Sequence, residues 1–194
     1  MSTLLRVHAI LHGTAVNGPG IRTAIWVQGC SLGCPGCWNP ETWAPGDGTD
    51  WEPAALAREV ARTARPDTRG LTLSGGEPFQ QAEALAKFVQ EIRDIAPAWD
   101  VFCWTGYTLG QLRRQPSAEA LLDQIDLLVD GRYIERLRRD DLPWRGSRNQ
   151  RILPLTLRGA VMATEAPRGP EAEYHIAADG TVVATGFPPV EAHP

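Results

Sequence analysis

Short apolar blocks and longer amphipathic segments alternate along the chain as far as Asp130. The blocks are rich in β-branched and aromatic residues, which favour strands. The predicted strands are Leu4–Leu11, Arg22–Gln28, Leu71–Leu73, Asp100–Thr105 and Leu127–Val129. The predicted helices are Trp51–Ala64, Gln81–Ala96, Thr108–Arg114 and Ser117–Ile125. This alternation predicts an α/β fold with parallel strands.

The helix Gln81–Ala96 has the clearest pattern, because its apolar residues recur on one stripe. Asp50 is the predicted N-cap of the helix Trp51–Ala64. Two stretches, 13–20 and 39–50, are rich in turn-forming residues and are predicted to be loops. We expect the second loop to cover a site, because sites in parallel α/β folds lie at the carboxyl ends of the strands.

Length and charge limit the possible classes of protein. A chain of 194 residues fits one domain that can bury its own core. The formal net charge of −4 argues against nucleic-acid and membrane-surface proteins. The sequence contains neither an apolar run of membrane-spanning length nor the plan of a signal peptide. We therefore expect a cytoplasmic protein in a reducing compartment.

The strongest chemical signal is a loop in which Cys30, Cys34 and Cys37 are spaced C-x3-C-x2-C. Three thiolates can hold three irons of a [4Fe-4S] cluster and leave the fourth iron open. A zinc site made from all four cysteines is the alternative, since zinc prefers four N or S ligands. Cys103, the fourth, lies inside a predicted strand, and we interpret it as a buried structural residue. A disulfide fits less well, because the chain does not resemble a short secreted protein.

The cysteine spacing followed by Trp38 resembles the cluster-binding signature of the radical S-adenosylmethionine (radical SAM) superfamily. The resemblance implies that the open iron binds the amino and carboxylate groups of SAM, and that reduction splits SAM to a 5′-deoxyadenosyl radical. Gly75, Gly76 and Glu77 follow a predicted strand and resemble the GGEP element that contacts the SAM amino group. Two glycines also let a backbone approach a ligand closely, although an unliganded strand-to-helix turn has the same composition.

Two further features lie beyond these motifs. Asp130 and Arg132 come directly after the predicted strand Leu127–Val129. Because sites lie at the carboxyl ends of such strands, we expect these two residues near the SAM carboxylate or the substrate. The segment from Asp130 to Arg151 is rich in arginine and could contact an acidic partner, although a solvated arginine-rich face is the simpler interpretation.

Together the motifs resemble one family, the activating enzymes of anaerobic (class III) ribonucleotide reductase. The matching elements are residues 16–22, the cysteine loop with residues 38–43, residues 75–78, residues 104–107, residues 129–133 and residues 145–151. The resemblance implies a partial, open (β/α) barrel of about six strands, in which Thr105 also contributes to cofactor binding. It further implies a glycyl-radical partner enzyme and an external electron donor of the flavodoxin or ferredoxin type.

The C-terminal segment departs from this family. We expect a radical SAM core over residues 1–157 and an extension over 158–194, with a β-hairpin around Ala178–Gly180. Because the extension passes the family's usual end, two other functions stay open. One is a radical SAM enzyme that modifies a peptide or small molecule, and the other is a non-catalytic zinc module.

Overall fold

The computed structural model describes residues 3–139, 141–167, 172–176 and 179–187. Within them the chain forms a mixed α/β fold with a seven-stranded sheet and a separate two-stranded sheet. The strands are β1 (Leu5–Thr14), β2 (Arg22–Val27), β3 (Thr49–Trp51), β4 (Gly70–Gly75), β5 (Asp100–Trp104), β6 (Leu127–Asp130), β7 (Arg151–Pro154), β8 (Ala172–Ile176) and β9 (Val182–Gly186). The helices are α1 (Pro53–Thr63), α2 (Ala82–Ile95), α3 (Leu109–Leu112), α4 (Glu119–Leu122) and α5 (Leu157–Thr164).

The large sheet has the strand order β3-β1-β2-β4-β5-β6-β7. Its centre is parallel, since β2, β4, β5 and β6 run in one direction. Its outer pairings, β3 with β1, β1 with β2 and β6 with β7, are antiparallel. The carboxyl ends of the four central strands therefore meet at one edge of the sheet, and the loops that contain Cys30, Glu77, Thr105 and Gly131 begin there.

All five predicted strands are present, but the predicted total of about six was too low. The two strands without a prediction, β3 and β7, lie at the edges of the sheet and are largely exposed. Edge strands of this kind lack the apolar alternation by which strands are detected, because neither face is fully buried. Trp51, predicted as the first residue of a helix, belongs to β3 instead, and α1 begins at Pro53.

The N-cap prediction for α1 was wrong. Glu52 caps the helix, because its Oε2 accepts a hydrogen bond of 2.8 Å from the amide of Ala55. Asp50 instead lies in β3 and pairs with Arg6 at 2.6 Å. The helix prediction for Gln81–Ala96 is confirmed by α2, whereas α3 and α4 each keep only four residues of the longer predicted helices.

The core lies on one face of the sheet. Buried residues of α1 and α2 form a single apolar cluster with alternate residues of the central strands, including Cys103. The intervening residues of β5, Phe102 and Trp104, lie on the opposite face with Trp144 and Met162. That opposite face is less filled with apolar side chains, and it carries the candidate site. No helix among the described residues is long and apolar enough to cross a bilayer.

A buried ion pair stabilises the loop before β2. The Arg22 side chain is fully buried, and its Nη1 lies 2.5 Å from Oδ1 of Asp100. Its Nε donates to Oγ1 of Thr72 at 2.7 Å, and its guanidinium also donates to the carbonyl of Pro19 at 3.0 Å. Burying a charge is costly unless it is paired and hydrogen-bonded, so this network holds residues 17–22 against β4 and β5.

The chain after β7 forms α5 and then the two-stranded sheet. Met162 of α5 is fully buried against the sheet. β8 and β9 pair antiparallel, with Ile176 opposite Val182. Ala178, at the predicted turn, lies outside the described residues, and the division of the chain at residue 157 stays a prediction.

Candidate active site

The cysteine loop leaves the carboxyl end of β2 and is held by backbone hydrogen bonds. The amides of Gly29 and Cys30 donate to the carbonyls of Thr42 and Trp43, at 2.7 and 3.1 Å. Within the loop the amide of Cys37 donates to the carbonyl of Cys34 at 3.1 Å, which closes a tight turn. Gly33 and Gly36 have φ values of +55° and +69°, a region that glycine enters without steric cost.

All three loop thiols are free and line one cavity of about 430 Å³. Cys34 is buried, while Cys30 and Cys37 are partly exposed. Burial raises the pKa of the Cys30 thiol, so cluster insertion at this residue must release a proton. The other predicted site residues that line the same cavity are Trp38, Gly75, Gly76 and Thr105.

The glycine loop, Gly75–Glu77, lies directly against the cysteine loop. The amides of Gly76 and Glu77 donate to the carbonyls of Val27 and Gly29, at 2.8 and 2.9 Å. A Cβ atom at Gly76 would lie 2.8 Å from the carbonyl carbon of Gly29 and closer still to its oxygen. Gly75 has a φ of +100°, and a Cβ there would lie 2.6 Å from the amide nitrogen of Val27. The glycines are therefore needed for backbone packing as well as for access to a ligand.

Glu77 links two loops of the site. Its Oε1 accepts from the hydroxyl of Thr105 at 2.7 Å and from the amide of Phe79 at 3.0 Å, and its Oε2 accepts from the amide of Gly106 at 2.8 Å. The residue is buried, and burial raises the pKa of its carboxyl to about 7. Glu77 thus fixes the position of Thr105, which lines the cavity, and the predicted contact of Glu77 itself with the SAM amino group stays a prediction.

Trp38 lies between the cysteine loop and two distant parts of the chain. The guanidinium of Arg138 lies 4.6 Å from the centre of its ring, within cation–π range. The ring of Phe187 meets it edge to face, with centroids 5.8 Å apart. At least one residue of the arginine-rich segment is therefore packed at the site.

Asp130 and Arg132 take different positions. The Asp130 carboxylate is fully buried, where Oδ1 accepts from Nε of Arg151 at 2.8 Å and Oδ2 accepts from the amide of Leu109 at 2.7 Å. Arg132 donates to the carbonyl of Leu32 inside the cysteine loop. Both residues thus hold loops at the site, and their contact with SAM or a substrate stays a prediction.

The donor set fits a cluster with three protein ligands. Three thiols from one loop face the cavity that the glycine loop also lines. No three His, Cys, Asp or Glu side chains in the described ranges converge as ligands of a single metal ion. The zinc alternative needs Cys103, but that residue is fully buried in the apolar core on the other side of the sheet, as the structural interpretation predicted.

Comparison with known proteins agrees with a cluster-binding site in this chain. The family model for the 4Fe-4S single cluster domain matches residues 16–153. The anaerobic ribonucleoside-triphosphate reductase-activating protein of Vibrio cholerae is 41% identical over 146 residues, which cover 73% of this chain and 93% of the relative. The protein of the same description from Escherichia coli K12 is 38% identical over 139 residues, covering 70% and 89%. That of Enterobacteria phage T4 is 33% identical over 139 residues, covering 71% and 86%.

The chain belongs to this family of reductase-activating proteins. The match to the cluster-domain model includes the three loop cysteines and every other predicted site residue. It ends within β7, so α5, β8 and β9 lie beyond the matched residues. The family assignment confirms the resemblance and, with it, the [4Fe-4S] cluster and SAM as cofactors.

Some residues at the site were not singled out from the sequence. Asn17 and residues 183–187 line the cavity together with the cysteines. Asn17 lies in a motif that contributed to the family resemblance, which was the only available signal for it. Thr185 and Phe187 lie in a segment whose sequence predicts only a hairpin, and no local pattern links them to a loop so far away along the chain.

Proposed function

We propose that this protein cleaves SAM reductively at a [4Fe-4S] cluster and uses the resulting radical to remove a hydrogen atom from a glycine of an anaerobic ribonucleotide reductase. One observation carries the proposal: in a chain of this family, three thiols and the glycine loop line the same cavity. The relatives are described as activating proteins of that reductase.

Each part of the cavity has a separate task in this function. Cys30, Cys34 and Cys37 would hold the cluster, which when bound supplies the single electron that splits SAM into methionine and a 5′-deoxyadenosyl radical. The backbone of Gly75 and Gly76 would receive the SAM amino group. Thr105 and Trp38 would line the remainder of the ligand site, and Glu77 would keep Thr105 in place.

The reaction balances in electrons and atoms when an external reductant supplies one electron per SAM cleaved. The radical then takes one hydrogen atom from glycine, which leaves 5′-deoxyadenosine and a glycyl radical. A flavodoxin or ferredoxin would be the donor in the cytoplasm. We propose that the sheet curves as a partial (β/α) barrel with one open side through which the partner's glycine loop enters.

Electron paramagnetic resonance tests this function. The cluster-loaded protein, SAM and dithionite are mixed anaerobically with the class III reductase of the same genome, and a doublet signal of a glycine-centred radical is expected. A partner with its radical-site glycine changed to alanine is the matched control and should give no doublet. SAM cleavage without a glycyl radical would overturn the activase function and favour a radical SAM enzyme that modifies a peptide or small molecule.

A further inference from the structure

The C-terminal hairpin contributes to the cavity that contains the cysteines. Five consecutive residues, from Val183 to Phe187, line it. Residues of β1, from His8 to Leu11, line the same cavity. The hairpin lies outside the residues that match the cluster-domain family model, so the matched residues do not supply the part of the lining that the hairpin contributes.

Specific contacts attach the hairpin to the core. Asn17 Nδ2 donates to the hydroxyl of Thr185 at 2.8 Å, and Thr185 is 8% exposed. The amide of Ala15 donates to Oε1 of Glu173 at 2.9 Å. The third contact is the edge-to-face pair of Phe187 with Trp38. Contacts from both strands and from the residue after β9 thus fix the hairpin beside the cysteine loop.

The two faces of the hairpin differ. Glu173 and Thr185 are paired across the two strands and both contact the core. Ile176 and Val182 are also paired, and they are 74% and 56% exposed. Gly186, between Thr185 and Phe187, has a φ of +92°, which glycine adopts without steric cost. The inner face therefore has defined partners in the core, whereas this outer pair is open to solvent.

We propose that the C-terminal hairpin is a wall of the active site: Thr185 anchors it to Asn17, and Phe187 positions Trp38 beside Cys37. The wall shields the cysteines from solvent and helps to retain a ligand in the cavity. The shielding is inferred from these contacts and from the cavity that the hairpin shares with the cysteines, whereas the retention of SAM rests on the proposed function. Phe187 and Thr185 are positioning residues, because they act through Trp38 and Asn17.

Thiol alkylation tests the shielding without any cluster. In the full-length, cluster-free protein, the rates at which N-ethylmaleimide modifies Cys30, Cys34 and Cys37 are measured by mass spectrometry, with buried Cys103 as the internal reference for folding. The variants are Phe187→Ala, Thr185→Val and the two combined. We expect each single change to speed modification of the loop cysteines about fivefold, since each removes one aromatic or hydrogen-bonded contact.

The matched control is the double change Ile176→Ala with Val182→Ala on the outer face of the same hairpin, and it should react at the wild-type rate. Unchanged rates in the Phe187 and Thr185 variants would overturn the proposal, as would equal acceleration in the control. Modification of Cys103 in a variant would show unfolding, and the conservative Phe187→Leu change, which keeps an apolar side chain, then serves as the test.

SAM affinity tests the retention of ligand in the cluster-loaded protein. Equilibrium binding of SAM should weaken about fivefold in the Phe187→Ala variant and stay at the wild-type value in the outer-face control. Unchanged affinity together with faster alkylation would limit the wall to shielding and contradict ligand retention. If the wild-type protein binds neither a cluster nor SAM, the proposed function fails, while the alkylation result still decides whether the hairpin shields the thiols.

Discussion

The buried carboxyl of Glu77 should make the stability of the cluster-free protein fall as pH rises. In the folded protein its pKa is about 7, against an ordinary value of 4.5. Between these two pH values the folded state therefore holds a proton that the unfolded state has released. The contribution of this proton to the free energy of unfolding is complete below about pH 4.5 and is lost as pH rises through about 7.

The size of the effect follows from the difference between the two pKa values. That difference is about 2.5, and each pKa unit corresponds to about 1.36 kcal/mol, so the contribution changes by about 3 kcal/mol. Glu77→Gln retains the size of the side chain and cannot titrate. The unfolding free energy of the wild type minus that of the variant should therefore fall by about 3 kcal/mol from pH 4.5 to pH 8.

Urea unfolding at several pH values measures this difference. His12 works in the opposite direction, because burial lowers its pKa, but it is present in both proteins and cancels in the subtraction. Thr105→Val gives a second check. Its hydroxyl donates to Glu77 and lowers the pKa of that carboxyl, so its loss should extend the fall in stability to higher pH. A difference that is constant or rises with pH would refute this account of Glu77.

Two further predictions concern the loops of the site. Gly76→Ala should destabilise the protein by about 1–3 kcal/mol and reduce cluster incorporation, because the added Cβ meets the backbone of Gly29. Urea unfolding and iron analysis measure the two effects. Gly110→Ala is the control, because a Cβ at that position meets nothing within 4 Å. Normal stability of Gly76→Ala would show that the two loops do not pack this closely. Replacing any one of the three loop cysteines by alanine should abolish the cluster's visible absorption, whereas Cys103→Ala should retain it and lose about 1 kcal/mol of stability. Loss of the cluster in Cys103→Ala would contradict the ligand assignment.

The sequence predicted the centre of the fold better than its edges. β2, β4, β5 and β6 are buried and pair in parallel, so their apolar runs are visible without knowledge of their neighbours. β7 escaped prediction because it is an exposed edge strand whose pairing with β6 is set by tertiary contact. The central strands can therefore be predicted from their own residues, whereas the edge strands depend on tertiary contacts.

The candidate site shows the same division. The cysteine loop and Gly75–Gly76 could be predicted because their chemistry lies in contiguous residues. The internal partners of Glu77 and Asp130 could not, because Thr105 and Arg151 approach them only in the folded sheet. The contact of Asn17 with Thr185 joins residues that are 168 positions apart, and no pattern in either segment records it.

The most direct test of the central claim follows a hydrogen atom. The partner reductase is labelled with deuterium on its glycine α-carbons and is incubated anaerobically with the cluster-loaded protein, SAM and a reductant, after which 5′-deoxyadenosine is analysed by mass spectrometry. The account predicts that deuterium appears in 5′-deoxyadenosine in step with the formation of the glycyl radical. Accumulation of 5′-deoxyadenosine without deuterium would contradict it.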